Sequence, residues 1–138
     1  MFENPAQRVD AVEECYEFML AYAAQGIAGD EETQSLVQVR QLLRRAIDAI
    51  NGIPEAYRAA VREQGLEPAD RYEAFISVLE RDAANSAAIM ELVLAQSRLS
   101  SQLVDNLNAS IHLRALLTDL FVADEIWKLQ AATAADAA

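Results

Sequence analysis

The chain begins with a pattern of apolar positions that predicts an amphipathic helix. From Val9 onward, apolar residues recur every three or four positions, and this spacing places them along one face of an α-helix. The preceding Asn4-Pro5 pair is typical of a helix start, because asparagine caps a helix and proline suits its first position. We therefore predict a helix over residues 5–25, which Gly26 ends.

A second apolar stripe follows a short turn that contains glycine. It runs over residues 36–50 with helical spacing, and Asp30 is placed to cap this helix. Asn51-Gly52 is expected to end it. Two helices of similar length joined by a short link are expected to pack as an antiparallel αα-hairpin.

The rest of the chain divides into a short helix and a long stretch without helix breakers. Pro54 opens a predicted helix over residues 54–64, and Gly65 ends it. From residue 69 onward the sequence contains neither glycine nor proline. A single helix over that stretch would be about 105 Å long, several times the width of a small domain. The stretch must therefore bend at weaker signals or pack its length against a partner.

Polar residues in this second half favour one interruption. Asn85-Ser86 follows a charged cluster and resembles a helix cap, so we predict a break there and a long helix over residues 86–129. A polar cluster around Asn108 leaves a break at that position as the alternative. Continuity is favoured because outward-facing polar residues keep one helical phase through this cluster. These residues are Glu91, Arg98, Gln102, Asp105, His112 and Asp119.

Apolar residues of the predicted long helix identify a candidate interface. Between residues 99 and 111 the apolar residues are reduced to a single row in which each is four positions after the last. Such a row shifts by about 40° around the helix at each step, so it suits a partner helix that crosses at an angle. Broad apolar faces at both ends of this helix exceed what three shorter upstream helices can cover. We therefore expect a homodimer through it. The candidate self-association residues are Leu99, Leu103, Leu107, Ile111 and Leu117.

Together these elements predict an all-α fold in one domain. The chain would be a helical bundle of five or six helices, with an N-terminal αα-hairpin, a short helix and long C-terminal helices. Residues 1–129 form the predicted domain, and the alanine-rich tail 130–138 is expected to fray because it lacks a core stripe. A chain of 138 residues can bury a core without disulfides.

The charge and the cysteine content restrict partners and compartment. The net charge is −11 and the pI about 4.4, so phosphate backbones and anionic lipids repel the chain, and we expect neither nucleic acid nor membrane partners. One cysteine and no signal-like N-terminus favour a cytoplasmic protein. The alanine and arginine content hints at a bacterial source.

One local basic patch departs from this acidic balance. We interpret it as the counterpart of an acidic stripe on the first helix, brought alongside by antiparallel packing. The patch comprises Arg40, Arg44 and Arg45, and the stripe comprises Asp10, Glu13, Glu14 and Glu17.

Sequence motifs for metal, phosphate or redox cofactors are absent. Di-metal carboxylate bundles and zinc sites require several histidines or cysteines, whereas this chain has one of each. His112 is followed by Leu113 and Arg114, not by the lysine and glycine typical of histidine phosphotransfer bundles. We therefore expect no cofactor and no metal, and interpret Cys15 as a packed thiol and His112 as a surface imidazole.

Two functional hypotheses follow. The first is a non-enzymatic α-helical protein-interaction module, homodimeric through its long C-terminal helix, that acts as an accessory, adaptor or chaperone-like protein for a client. The alternative is a small-molecule-binding or catalytic bundle with a pocket lined by tyrosines and carboxylates. We interpret the tyrosines as core-edge packing residues, and their convergence on a pocket would favour the alternative. They are Tyr16, Tyr22, Tyr57 and Tyr72.

Overall fold

The computed structural model describes residues 2–137, without the side chains of residues 134, 135 and 137. Within that range the chain forms helices and no strand, which confirms the predicted all-α bundle. The five helices are α1 (Pro5–Ala23), α2 (Gln34–Gln64), α3 (Ala69–Leu94), α4 (Ser101–Asn108) and α5 (Ile111–Ala137). The main packing pairs are α1 with α2, α2 with α3, α3 with α5 and α1 with α4.

The N-terminal hairpin forms as predicted. The side chain of Asn4 caps α1 by accepting a hydrogen bond of 2.9 Å from the Gln7 amide. The two helices run antiparallel, since Arg8 contacts the carbonyl of Asp48 and Glu14 forms an ion pair of 3.2 Å with Arg45. Among the described residues, this is the only ion pair between the predicted acidic and basic stripes. Arg40 of the basic stripe bonds elsewhere, to the turn that follows α3.

The start of α2 differs from the prediction. Thr33, not Asp30, caps the helix, and its hydroxyl accepts a hydrogen bond of 3.2 Å from the Leu36 amide. The three residues before Thr33 lie outside any helix. Either side chain can cap a helix, so the position of the first buried apolar residue, Leu36, decides which one does.

The predicted break at Asn51-Gly52 is wrong, because α2 continues through Gly52 and Pro54. Proline lacks an amide hydrogen and crowds the preceding helical turn, which weakens the hydrogen bonds there. In that turn the Arg8 guanidinium donates hydrogen bonds of 3.1 Å each to the carbonyls of Asp48 and Ala49. A Cβ atom on residue 52 would collide with this guanidinium, so Gly52 makes room for it.

The predicted break at Asn85-Ser86 is also wrong, since α3 is continuous from Ala69 to Leu94. Ser86 is buried, and its hydroxyl donates a hydrogen bond of 2.9 Å to the carbonyl of His112 in the first turn of α5. The residue that resembled a cap therefore joins α3 to α5. These helices lie antiparallel, with Tyr72 of α3 near Gln130 at the other end of α5.

The stretch without breakers turns instead at residues 95–100, inside the predicted long helix. Arg40 of α2 donates hydrogen bonds to the carbonyls of Leu94 (3.0 Å), Gln96 (2.9 Å) and Ser97 (3.1 Å). Leu94 is the last residue of α3, and Gln96 and Ser97 follow it in the turn, so the guanidinium lies at the helix C-terminus, where the helix dipole favours a cation. Ser100 then caps α4 by accepting a hydrogen bond of 3.1 Å from the Leu103 amide.

The turn at residues 95–100 and the start of α4 are also held by the end of α1 and by the loop that follows it. The Tyr22 hydroxyl donates a buried hydrogen bond of 2.6 Å to the carbonyl of Leu99. The Ser101 hydroxyl accepts from the Ile27 amide at 2.8 Å and donates to the Tyr22 carbonyl at 2.7 Å. Gly29 has a positive φ of 82° and touches the Leu99 backbone so closely that a Cβ atom would not fit.

The C-terminal helix also departs from the prediction. Residues 109 and 110 separate α4 from α5, so the predicted single helix over 86–129 is three helices, with the alternative break at Asn108 present. The helix α5 continues through residues 130–137, where we predicted fraying. None of the described helices has the length and hydropathy needed to cross a lipid bilayer.

The core receives large buried side chains from every helix. Cys15 is among its buried residues, as its position on the apolar face of α1 indicated. The largest fully buried side chains are Met19, Tyr22, Leu43, Ile50, Ile53, Ile76, Leu79, Met90, Leu99, Leu113, Leu116 and Leu120.

Candidate functional site: the outer face of α5 and an acidic aromatic cleft

The five predicted self-association residues do not form one exposed row. Leu99, Leu107 and Leu117 are buried in the core of the same chain, and Leu103 is half-buried. Ile111 is exposed. The row spaced by four is broken by the end of α4, so Leu107 and Ile111 lie on different helices. The helix α4, which carries Leu103 and Leu107, packs against α1 of its own chain.

The outer face of α5 carries the large apolar side chains that remain exposed in this part of the chain. The exposed fractions are 75% for Ile111, 57% for Phe121, 46% for Val122 and 60% for Leu129. Ile111, Val122 and Leu129 are separated by eleven and seven residues, which returns them to the same side of a helix. The opposite side of α5, which includes Leu116 and Leu120, packs into the core.

A second feature is a cleft of about 420 Å³ between α1, α2 and α5. It lies at the end of the bundle where α1 begins, α2 ends and α5 approaches its last turns. Its volume falls within the usual range of small-molecule sites, roughly 300–1,000 Å³. The lining residues are Asn4, Pro5, Ala6, Val9, Asp10, Glu13, Tyr57, Ala60, Gln64, Ala123, Asp124 and Trp127.

Aromatic side chains form one wall of this cleft. Trp127 packs edge-to-face against Tyr57, with 5.2 Å between ring centroids, and against Tyr72, with 5.8 Å. The Tyr72 hydroxyl accepts a hydrogen bond of 2.9 Å from Gln130. The aromatic wall is therefore fixed from behind, and Tyr57 and Trp127 face the cleft.

The electrostatic character of the cleft is negative. Burial, followed by the charges of Asp10, Asp124 and Glu17, raises the pKa of Glu13. Burial, followed by the charges of Asp124 and Glu13, raises the pKa of Tyr57 to about 12. Burial is the larger cause of both pKa shifts, and the nearby carboxylates add to it because each disfavours a further negative charge.

The four tyrosines do not converge on this cleft. Tyr57 lines it, Tyr72 supports Trp127 from outside, and Tyr22 bonds to the α3–α4 turn. Tyr16 packs half-buried against the core. The packing interpretation therefore holds for three of them, and the carboxylates and the tryptophan supply most of the cleft's chemistry.

Trp127 and Asp124 are the cleft residues that sequence reasoning did not single out. Trp127 lies in the apolar face of α5, where a large ring is an ordinary core residue. Asp124 lies three positions before it and looks like a solvated helix residue. The sequence did contain one signal for this site, because a carboxylate three or four residues from an aromatic ring lies on the same face of a helix.

A half-buried acid pair, Asp82 and Asp119, lies between α3 and α5, away from the cleft. Burial and the neighbouring carboxyl of Asp82 raise the pKa of Asp119 to about 7. One carboxyl oxygen of Asp119, Oδ2, is buried, so the predicted solvent-facing position of this residue is wrong. The two carboxyl groups can share a hydrogen bond only when one of them holds a proton, and this favours the protonated form of Asp119.

The thiol and the imidazole lie in ordinary environments. Burial raises the pKa of the Cys15 thiol to about 12, so the nucleophilic thiolate is scarce. His112 is half-buried at the first turn of α5, where its carbonyl contacts Ser86. Within residues 2–137, no three histidine, cysteine, aspartate or glutamate side chains are grouped so that they could hold a metal ion.

Comparison with known proteins adds no relative. No protein-family model, curated protein or solved structure matches this chain.

Proposed function

We propose that the chain is a non-enzymatic protein-interaction module that pairs with a second copy of itself through the outer face of α5. Four exposed apolar side chains on that face support the proposal: Ile111, Phe121, Val122 and Leu129. Large apolar side chains grouped on one helix face are typical of interaction surfaces. The proposal keeps the C-terminal helix of the sequence hypothesis but moves the interface to the opposite side from the buried leucines.

The spacing of the outer residues suits a pair of helices. Positions 111, 115, 118, 122, 125 and 129 alternate in steps of four and three, the spacing of a coiled-coil seam. In an antiparallel pair in which facing residue numbers add up to about 240, Ile111 faces Leu129 of the second copy. Thr118 then faces Val122. This register buries Ile111 against Leu129 and Val122 against Thr118, and Phe121 lies beside the seam.

Charges along the same register are complementary at one point. Arg114 of one copy lies beside Glu125 of the other, and two-fold symmetry forms this contact twice. A second copy is therefore a better occupant of this face than a strongly acidic partner of unrelated sequence. Each chain nevertheless carries a net charge of −11, so two copies repel each other at long range.

The affinity of such a pair is expected to be modest. A seam formed by one helix from each copy buries less area than a standard interface, which suggests a dissociation constant on the order of 100 µM. Sodium chloride should strengthen the pair, because it screens the long-range repulsion and leaves the apolar contacts intact.

Sedimentation velocity over a range of protein concentrations tests the proposal. The native chain should shift from monomer to dimer, and the Val122→Asp/Leu129→Asp variant should remain monomeric because it buries two carboxylates in the seam. The matched control is Leu20→Asp/Leu92→Asp, which adds the same charge at exposed apolar positions of α1 and α3. The control should dimerise like the native chain.

Two results would contradict self-association through α5. A native chain that stays monomeric up to about 500 µM would exclude a pair of the expected strength. A dimer that the α5 variant and the control weaken equally would exclude this particular face. Circular dichroism of both variants verifies that each remains helical.

A further inference from the structure

The cleft between α1, α2 and α5 is independent of the proposed interface. Trp127 and Asp124 of α5 line the cleft, whereas Val122 and Leu129 of the same helix do not and are exposed to solvent. Residues that line the cleft come from parts of the chain more than a hundred positions apart, so only the folded bundle assembles it. A ligand could therefore bind there in either the monomer or the dimer.

The charged groups of the cleft are all acidic. Asp10, Glu13 and Asp124 line it, and no lysine, arginine or histidine does. Lys128 forms an ion pair of 3.0 Å with Asp124, but both groups are largely exposed to solvent, so this pair compensates little. Neither Asp10 nor Glu13 forms an ion pair within residues 2–137. A ligand that brings positive charge into the cleft would relieve their mutual repulsion.

Tyr57 supplies an observation separate from the carboxylates. Only 5% of this residue is exposed, and no hydrogen-bond partner is found for its hydroxyl among the described residues, in contrast to the hydroxyls of Tyr22 and Tyr72. The hydroxyl is not among the buried polar atoms that lack a partner, so it remains accessible to solvent or to a bound group. Its oxygen faces the cleft and can accept a hydrogen bond from a bound N–H group.

The aromatic wall and the apolar floor define the remainder of the ligand. Tryptophan is the aromatic ring that attracts cations best, and Trp127 lies in a cleft whose apolar surfaces include Val9, Ala60 and Ala123. A hydrated metal ion would gain little from these apolar surfaces. An aliphatic chain that carries ammonium groups would use both the carboxylates and the rings.

We propose that this cleft binds a small aliphatic polyamine. Its ammonium groups lie against the carboxylates of Asp10, Glu13 and Asp124, one N–H donates to the Tyr57 hydroxyl, and its methylene groups cover Trp127. More than one ammonium is required, because a single charge would leave at least two carboxylates uncompensated. Binding forms and breaks no covalent bond.

Fluorescence of Trp127, the only tryptophan of the chain, reports binding directly. The probe is spermidine, titrated at constant ionic strength into protein dilute enough to remain monomeric. We expect a saturable change in emission, with a dissociation constant of about 1 mM or tighter. The Tyr57→Phe variant should bind about two- to tenfold more weakly, because it loses one hydrogen bond.

A pair of charge-matched variants separates specific binding from attraction to an acidic protein. Glu13→Gln/Asp124→Asn should weaken binding by about fivefold or more. Glu31→Gln/Glu32→Gln removes the same charge from exposed positions outside the helices and should leave the dissociation constant unchanged. The first variant should fold normally, because it removes like charges that repel each other.

Several results would overturn the polyamine site. The first is a change in Trp127 fluorescence that never saturates with spermidine. The second is an equal loss of spermidine affinity in the two charge-matched variants. The third is a fluorescence response to magnesium chloride that equals the response to spermidine at the same concentration of positive charge. Val122→Asp/Leu129→Asp should bind spermidine like the native chain. Because this variant is defective only in the proposed dimer, failure of the cleft and failure of the α5 interface are distinguished.

Discussion

The Arg40→Ala variant should destabilise the turn that separates α3 from α4. The Arg40 guanidinium donates three hydrogen bonds, to the carbonyls of Leu94 (3.0 Å), Gln96 (2.9 Å) and Ser97 (3.1 Å). The bonds to Gln96 and Ser97 are exposed, so water replaces them in the variant at little cost. The partly buried bond to Leu94 contributes about 1.5–3 kcal/mol, and the cation at a helix C-terminus about 0.3–1 kcal/mol. We expect a total loss of about 2–4 kcal/mol in the free energy of unfolding.

Urea unfolding followed by far-UV circular dichroism measures this loss. Arg44→Ala is the matched control, because Arg44 is exposed on the same helix and has no ion pair or hydrogen bond among the described residues. Hydrogen exchange should also be faster at the amides of residues 95–100 in Arg40→Ala. A loss within about 0.5 kcal/mol of the control would refute the reasoning, since surface substitutions without special contacts have effects of that size.

Three further predictions concern other features of the fold. Gly52→Ala should stabilise α2 more in an Arg8→Ala background than in the native chain, because the added methyl group then displaces no guanidinium. The difference in the free energy of unfolding should be about 1–2 kcal/mol in a double-mutant cycle measured by urea unfolding, and equal effects in both backgrounds would contradict this. Gly29→Ala should lower the free energy of unfolding by at least about 2 kcal/mol, since residue 29 has a positive φ and touches the Leu99 backbone; a neutral result by urea unfolding would exclude that contact. Burial and Asp82 raise the pKa of Asp119 from 3.8 to about 7. Between these pH values the folded chain holds a proton that the unfolded chain has lost. The free energy of unfolding of the native chain should therefore fall as pH rises through this window. Asp119→Asn should therefore become progressively more stable than the native chain from pH 4 to pH 7, and a pH-independent difference in melting temperature would contradict the pair.

The sequence predicted the fold class and the hairpin but misplaced most helix ends after α1. Gly52 and Pro54 are strong local breakers, yet Arg8, more than forty positions away, bonds to the weakened turn and α2 continues. Residues 95–100 contain no breaker, yet contacts from Arg40 and Tyr22 end α3 there. Local propensities report only neighbouring residues, so helix ends decided by distant side chains were beyond their reach.

The candidate sites were predictable to different degrees. Asp10 and Glu13 were recognised as an acidic stripe, but their cleft depends on how the end of α5 packs against α1 and α2. The leucine row was assigned to one continuous helix, although α4 ends at Asn108, so Leu107 is buried and Ile111 is exposed on the next helix. A helical wheel drawn through an unrecognised break assigns every later residue to the wrong side.

Pairing of two α5 helices is the central functional claim, and an intermolecular spin-label distance tests it most directly. A single label at Asp136→Cys, in a Cys15→Ala background, lies near the end of α5. The antiparallel register predicts that the labels of two copies are about 48 Å apart, from 32 residues of helical rise. Val122→Asp/Leu129→Asp should abolish this distance. A separation of about 10 Å, which a parallel pair of helices would give, or no intermolecular distance at dimer-forming concentrations would contradict the account.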